Sequence, residues 1–328
     1  VTGFFVHGGR LADAAARHGG DPADWLDLST GINPLPWPGQ PAIDWRHLPD
    51  PTRLARLEAI AARHFGVHAA HCCAVPGSEL ALRQLAQVFD LPGHHMPPCY
   101  GGHVAAFPDS QPVHMPDDLP AGPSVTVIAN PNNPDGRVMD QATCLGWLNA
   151  TQARDGWLIV DEAFADSMAG TSVAHRVGDD TRLIVLRSFG KFFGLAGARL
   201  GFVIGPRTVM AALRRHLGDW PINAGALALG QGAYADTAWI MATRVDLAAR
   251  AAKIDALFTR HGLSARGTCP LFRLIETDTA EPLFAALAQR HILTRPFAAN
   301  PRWLRFGLAD DAGLARLDRA LTDIVQHG

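Results

Sequence analysis

Apolar positions recur in two rhythms along this chain of 328 residues, and the alternation between them predicts its elements. Leu54, Leu57, Ile60 and Phe65 fall at helical spacing behind Asp50-Pro51-Thr52, which offers a cap and a proline suited to a first helical turn. Residues 71–75 then read as a short strand, and Gly77-Ser78-Glu79 opens a helix over 80–89. Apolar runs at 125–128, 157–160, 183–186 and 200–204 read as further strands, with a helix over 141–153 between the first two. Short apolar runs separated by helices predict an α/β fold, a mostly parallel sheet sandwiched by helices.

Beyond this region the pattern is helical from 208 to 257, and the stretch 237–258 is long enough to join two domains. Strands at 271–275, 292–296 and 303–306 alternate with helices at 281–290 and 312–325, giving a smaller α+β domain. The opening stretch is rich in Gly, Pro and Asp, carries one helical pattern at 10–18, and reads as an arm. The expected organisation is an arm over 1–41 that packs with the small domain, a large domain over 42–215, and an interdomain helix plus small domain over 216–328.

Composition narrows the partners. The chain is 48% hydrophobic with a mean hydropathy near zero, as expected of a soluble protein with a large core. A formal charge of −2 leaves no positive excess for a polyanion or an anionic membrane, so neither nucleic acid nor membrane is an expected partner. Charged residues make up 18%, below the average of about 25%, which favours a homo-oligomer with a buried interface. None of the five cysteines forms a Cys-x-x-Cys pair, no apolar run reaches membrane-spanning length, and residues 1–9 lack the features of a secretory leader. The expectation is a cytoplasmic protein with reduced thiols. The 15 histidines include His94-His95 but no His-Glu-x-x-His, so no metal is expected.

The chemistry gathers in loops that follow strands. Of 29 basic residues only Lys191 and Lys253 are lysines, and lysine does what arginine cannot: once deprotonated, its amine attacks an aldehyde to form an imine. Lys253 falls on the long helix. Lys191 stands in Ser188-Phe189-Gly190-Lys191-Phe192-Phe193-Gly194, a turn past an apolar strand where glycines let the chain bend and aromatics desolvate the amine. Asp161 closes the run 157–160, where a buried carboxylate needs a cationic partner such as a protonated pyridine nitrogen. Asn133, in Asn130-Pro131-Asn132-Asn133-Pro134-Asp135-Gly136, is placed to aim an amide at a phenolate oxygen. Gly77-Ser78-Glu79 at a strand-to-helix junction offers amides and a hydroxyl to a phosphate, with Ser188 and Arg199 flanking the lysine turn.

These motifs, in this order and at these spacings, resemble the fold-type I pyridoxal-phosphate enzymes, the aspartate aminotransferase superfamily, over nearly the full length. The resemblance implies that Lys191 holds pyridoxal 5'-phosphate as an imine, Asp161 pairs with the ring nitrogen and Asn133 bonds the phenolic oxygen. Ser78, Ser188, Arg199 and the amides of Gly77, Ser78 and Glu79 would hold the cofactor phosphate. Within the superfamily the chain is similar to the branch shared by histidinol-phosphate aminotransferases and the threonine-phosphate decarboxylases of cobalamin synthesis. Three features favour the decarboxylases. His7-Gly8-Gly9-Arg10 with Asp27-Leu28-Ser29-Thr30-Gly31-Ile32-Asn33-Pro34 is close to their N-terminal pattern. Phe164 replaces a tyrosine common in aminotransferases, and His103 takes the place of the ring-stacking aromatic, with Tyr100 the other candidate.

By the same resemblance Arg305 grips the substrate carboxylate, and His7, Gly8, Gly9, Gly31, Asn33 and Arg295 are candidates for the substrate phosphate. The implied reaction is decarboxylation of O-phospho-L-threonine by a homodimer, with an aminotransferase of the histidinol-phosphate type as the alternative. The tyrosine that the family places on the neighbouring subunit is missing, with Leu48 at its position. A non-catalytic sensor lacks support because the arm is too short for a DNA-binding helix pair. A nicotinamide enzyme lacks it because no Gly-x-Gly-x-x-Gly follows the first strand.

Overall fold

A computed structural model describes residues 8–327. The chain divides into two compact units. One comprises the arm up to Leu35, Pro134–Arg137 and the segment from Thr243; the other comprises Pro36–Asn133 and Val138–Ala242.

In the arm, α1 (Leu11–His18) precedes a two-residue strand, β1 (Leu26–Asp27). The second unit begins its regular structure with α2 (Pro51–Phe65), capped as expected: the Asp50 carboxylate accepts from the Thr52 amide at 2.7 Å. Left-handed Gly66 ends the helix. There follow β2 (Cys72–Val75), α3 (Ser78–Phe89), β3 (Gly93–His95), α4 (Gly101–Ala106), β4 (Gln111–Pro112), β5 (Val125–Ala129), α5 (Gln141–Gln152), β6 (Trp157–Asp161) and β7 (Leu183–Ser188). A four-residue helix, α6 (Phe189–Phe192), then leads to β8 (Gly201–Ile204), α7 (Arg207–Leu217) and α8 (Ala224–Ala235).

Seven of these strands form one sheet in the order β2-β8-β7-β6-β5-β3-β4. The central neighbours pair in parallel, while β8 runs antiparallel to both β7 and β2. The connection between β7 and β8 is residues 189–200, which carry the lysine turn and bring the chain back alongside β7 in the opposite direction. One face of the sheet packs Val75, Val127, Ile159, Ile184, Leu186 and Val203 against Leu82, Leu85 and Leu213 of α3 and α7. Withdrawal of this surface from water is the main force holding the layers together. Its other consequence is functional: β5, β6 and β7 are fixed side by side, so their carboxyl ends deliver Asn130, Asp161 and Ser188 along one edge.

α9 (Thr237–Arg260) carries the chain from one unit into the other. After it come β9 (Ala265–Arg266), β10 (Phe272–Glu276), α10 (Ala280–Ala288), β11 (Ile292–Leu293), β12 (Arg295–Pro296), β13 (Trp303–Gly307) and α11 (Asp311–His327). Their sheet is antiparallel, in the order β12-β13-β10-β9, and β11 pairs in parallel with β1 of the arm.

Three expectations change here. The run 292–296 is not one strand: the backbone of 292–293 pairs with the arm, and that of 295–296 with β13, so the strand breaks at Thr294. The arm is also more than an appendage, because Leu28 donates to the Leu293 carbonyl and accepts from the Gly307 amide, both at 2.7 Å. The units divide at 35/36 and 242/243, where the sequence suggested 41 and 215. α8 packs on α2 and so stays with the large sheet. Among the described residues no helix is long and apolar enough to cross a membrane, and no cluster of His, Cys, Asp and Glu is arranged to hold a metal.

Candidate active site

Lys191 stands in α6, immediately past the end of β7, and is half-buried. Phe189, Phe192 and Phe193 around it are fully buried. Glycine shapes the turn on both sides. Gly194 takes φ of 69°, and a Cβ on Gly190 would stand 2.6 Å from the Ala196 Cα, so a side chain there would push the loop open. The lysine Nζ lies 5.8 Å from the ring centre of buried Phe164, at the start of the loop after β6. The other lysine, Lys253, is half-exposed in α9 and paired with Asp311 at 2.8 Å.

Asp161, the last residue of β6, keeps a side chain 13% exposed. Both its oxygens are engaged. Oδ1 accepts from the Ala163 amide at 3.1 Å, and Oδ2 meets Nε2 of His103 at 2.9 Å. That histidine comes from α4, its side chain fully buried, and its Nδ1 has no hydrogen-bond partner among the described residues. Tyr100 stands edge-on to it, ring centres 5.7 Å apart, and gives its hydroxyl to Glu79 at 3.0 Å. The bond between His103 and Asp161 was not foreseen. Glu79 likewise turns its carboxylate to Tyr100 and Arg83.

A cradle for an anion forms where β2 meets α3. Gly77 takes φ of 97°, and a Cβ on it would lie 2.8 Å from Nη2 of Arg199, so the guanidinium rests against the glycine backbone. Arg199 is itself in the left-handed region, at φ 54°. Ser188 is paired in register with Gly201, whose missing Cβ would stand 2.7 Å from the Ser78 amide. Gly77, Ser78, Ser188 and Arg199 are thus brought together at the amino end of a twelve-residue helix, whose free amides and dipole favour negative charge. Asn133 is half-buried at the end of the loop after β5. Its neighbours close that loop: Asn130 exchanges two bonds with Met139, and Asn132 donates to the Pro98 carbonyl at 2.9 Å.

Behind the ends of β6 and β7 lies an ionic cluster. Arg187 is 3% exposed and donates to Glu162 at 2.7 Å and to Asp166, which also meets Nε2 of His64 at 2.9 Å. Burial opposes charge on Asp166, yet the Arg187 guanidinium and the His64 bond prevail and hold its carboxyl down to about 2. For Glu162 burial outweighs the same arginine and its pKa is raised.

The remaining candidates belong to the small unit, except His7, which lies outside the described residues. Arg295 and Arg305 face each other across β12 and β13. Burial, then the like charge of Arg295, lowers the Arg305 pKa to about 10. Arg305 donates to the Ser29 carbonyl at 3.0 Å, while Gly8 packs on the Ser29 backbone and the Gly9 amide donates to Ser29 Oγ at 2.7 Å. Gly31 and Asn33 are buried, and the Asn33 amide oxygen caps the Leu35 amide at 2.9 Å.

These residues fit pyridoxal phosphate. The cradle that a Cβ on Gly77 would fill suits the phosphate, the carboxylate of Asp161 suits a protonated ring nitrogen, and Lys191 is the amine. With the sheet and small domain described above, they define a pyridoxal-phosphate-dependent enzyme of fold type I. The model of the aminotransferase class I and II family matches residues 114–321. The chain belongs to that family. It is similar to threonine-phosphate decarboxylase of a Sinorhizobium species, 40% identical over 333 residues that cover 98% of this chain and 97% of the relative. The threonine-phosphate decarboxylase of Pseudomonas aeruginosa is also 40% identical, over 96% of each chain. Among solved structures, histidinol-phosphate aminotransferase from Sinorhizobium meliloti in complex with pyridoxal 5'-phosphate superposes with a TM-score of 0.80 at 20% identity, covering 96% of this chain and 94% of that one, a likeness of fold.

Proposed function

We propose that the chain decarboxylates O-phospho-L-threonine to (R)-1-aminopropan-2-yl phosphate, a step of cobalamin biosynthesis, as a homodimer. The observation that carries this reading is 40% identity to two threonine-phosphate decarboxylases across almost the whole of each chain. Bound pyridoxal phosphate supplies an electron sink for the pair released when a bond at the substrate α-carbon breaks. Asp161, held by His103 and the Ala163 amide, keeps the ring nitrogen protonated. Gly77, Ser78, Glu79 by its amide, Ser188 and Arg199 hold the cofactor phosphate, and Asn133 bonds the phenolic oxygen. His103 flanks the ring. Phe164 covers the lysine without adding a hydroxyl.

Lys191 would return a proton to the substrate carbon that has lost its carboxylate. An aminotransferase would use the same lysine to move a proton from that carbon. Which bond breaks is therefore set by the groups that hold the substrate. Two adjacent guanidiniums suit a substrate with two anionic groups. Arg305 takes the carboxylate, and Arg295 with His7, Gly8, Gly9, Gly31 and Asn33 takes the phosphate. On the large unit Trp45, Leu48 and Trp220 are exposed, and a second copy would cover them; sedimentation at twice the chain mass checks the dimer.

The reaction is tested by offering O-phospho-L-threonine to the loaded protein. Carbon dioxide release without any 2-oxo acid is expected. Absence of release, together with 2-oxoglutarate-dependent turnover of histidinol phosphate, would overturn the reading in favour of an aminotransferase.

A further inference from the structure

Trp37 stands two residues past the end of the arm unit at Leu35. Pro36 and Pro38 flank it, fixing φ on either side and holding the segment extended. The residue is only 9% exposed. Its backbone amide donates to the carbonyl of Phe193 at 2.9 Å. That carbonyl belongs to the turn that carries Lys191, two residues on from the lysine.

The indole makes the second half of a closed circuit. Its N–H donates to Asp236 Oδ2 at 3.1 Å, while Asp236 Oδ1 accepts from the Trp239 amide at 3.0 Å. Asp236 so caps the start of α9. Trp239 then stacks on Phe193, ring centres 5.7 Å apart at 15°, and meets Phe192 edge-on at 5.5 Å. The helix side of the indole is fitted closely, since a Cβ on Gly232 of α8 would come within 2.6 Å of the ring. Trp37 thus reaches the lysine turn twice, through the backbone of Phe193 and through Asp236, Trp239 and the Phe193 ring. None of these groups is in the cofactor array.

We propose that Trp37 is a positioning residue that ties the root of the arm to the Lys191 turn, so that substrate engagement by the arm is felt at the lysine. The proposal rests on the reading that Lys191 holds the cofactor and the arm binds substrate. The coupling is reciprocal: an arm held by substrate steadies the turn, and a steadied turn favours the held arm.

Two variants of the loaded protein test it. Trp37→Phe keeps a ring but loses the indole donor. Asp236→Asn keeps a capping oxygen for Trp239 but replaces one acceptor of the carboxylate by an amide nitrogen. Amide hydrogen exchange is read over residues 8–35 and 192–195, with and without O-phosphoethanolamine, alongside the pH titration of the cofactor's visible absorption. In the parent protein the amine phosphate should slow exchange in both segments. In both variants exchange at 192–195 should rise about tenfold and lose its response, as expected when one buried hydrogen bond is removed, while the arm still responds. The absorption titration should shift in the same variants. Turn exchange, its response and the titration all unchanged in both variants would overturn the role of Trp37. A parent protein whose arm ignores the amine phosphate would instead overturn the reading beneath it.

Discussion

Gly77 holds a place no side chain can take. Its φ of 97° is one that L-residues rarely adopt, and its missing Cβ leaves the room that the Arg199 guanidinium fills. Gly77→Ala should therefore strain the turn and displace the arginine together. Titration of the variant with pyridoxal phosphate, followed by absorbance, should show affinity lowered about tenfold or more, the scale of a lost charge-assisted contact, with the fold retained. Unchanged affinity would mean that the anion sits elsewhere. At this scale much was legible. The sequence places a lysine in the turn after one apolar strand and a carboxylate at the end of another, and both stand at those positions. The bond from His103 to Asp161 and that from Tyr100 to Glu79 were not legible, because they depend on how α4 is turned above the sheet. No spacing along the chain encodes that rotation.

Among elements, the cluster of Arg187, Glu162, Asp166 and His64 joins the ends of the two strands that carry Asp161 and Ser188. Breaking a buried ion pair by removing one partner costs about 3–5 kcal/mol, since the remaining charge is left uncompensated. Asp166→Asn should lose stability on that scale at neutral pH, measured by urea unfolding. The pH dependence has a definite sign. The Asp166 carboxyl is held down to about 2 from an ordinary 3.8, so its contribution is complete above 3.8 and disappears as pH falls through about 2. The gap between parent and variant should narrow over that interval; a gap independent of pH would show that the carboxylate contributes no charge to the cluster. Glu162 acts in the opposite sense, because its raised pKa favours the protonated folded form and stability falls as pH rises through its titration. The strands themselves were readable as apolar runs. β3 and β4 were not, because Gly93-His94-His95 and Gln111-Pro112 are too short and too polar to show a period, and only their pairing with neighbours makes them strands.

In the whole molecule, two units each gather anion-binding chemistry: the large one Arg199 and the α3 amides, the small one Arg295 and Arg305 beside the arm. The order of strands and helices conveyed the fold class and the presence of a small domain. It did not convey that the arm donates a strand to that domain, since Leu26-Asp27 has no period of its own and gains its partners only from Ile292-Leu293. Lys191 is the residue proposed to hold pyridoxal phosphate. Because the chain contains only two lysines, reducing the loaded protein with borohydride and locating the pyridoxyl group by peptide mass spectrometry tests this directly. The group is expected on the peptide containing Lys191, with Lys253 unmodified. A pyridoxyl group on Lys253, or on neither lysine of a fully loaded protein, would contradict it.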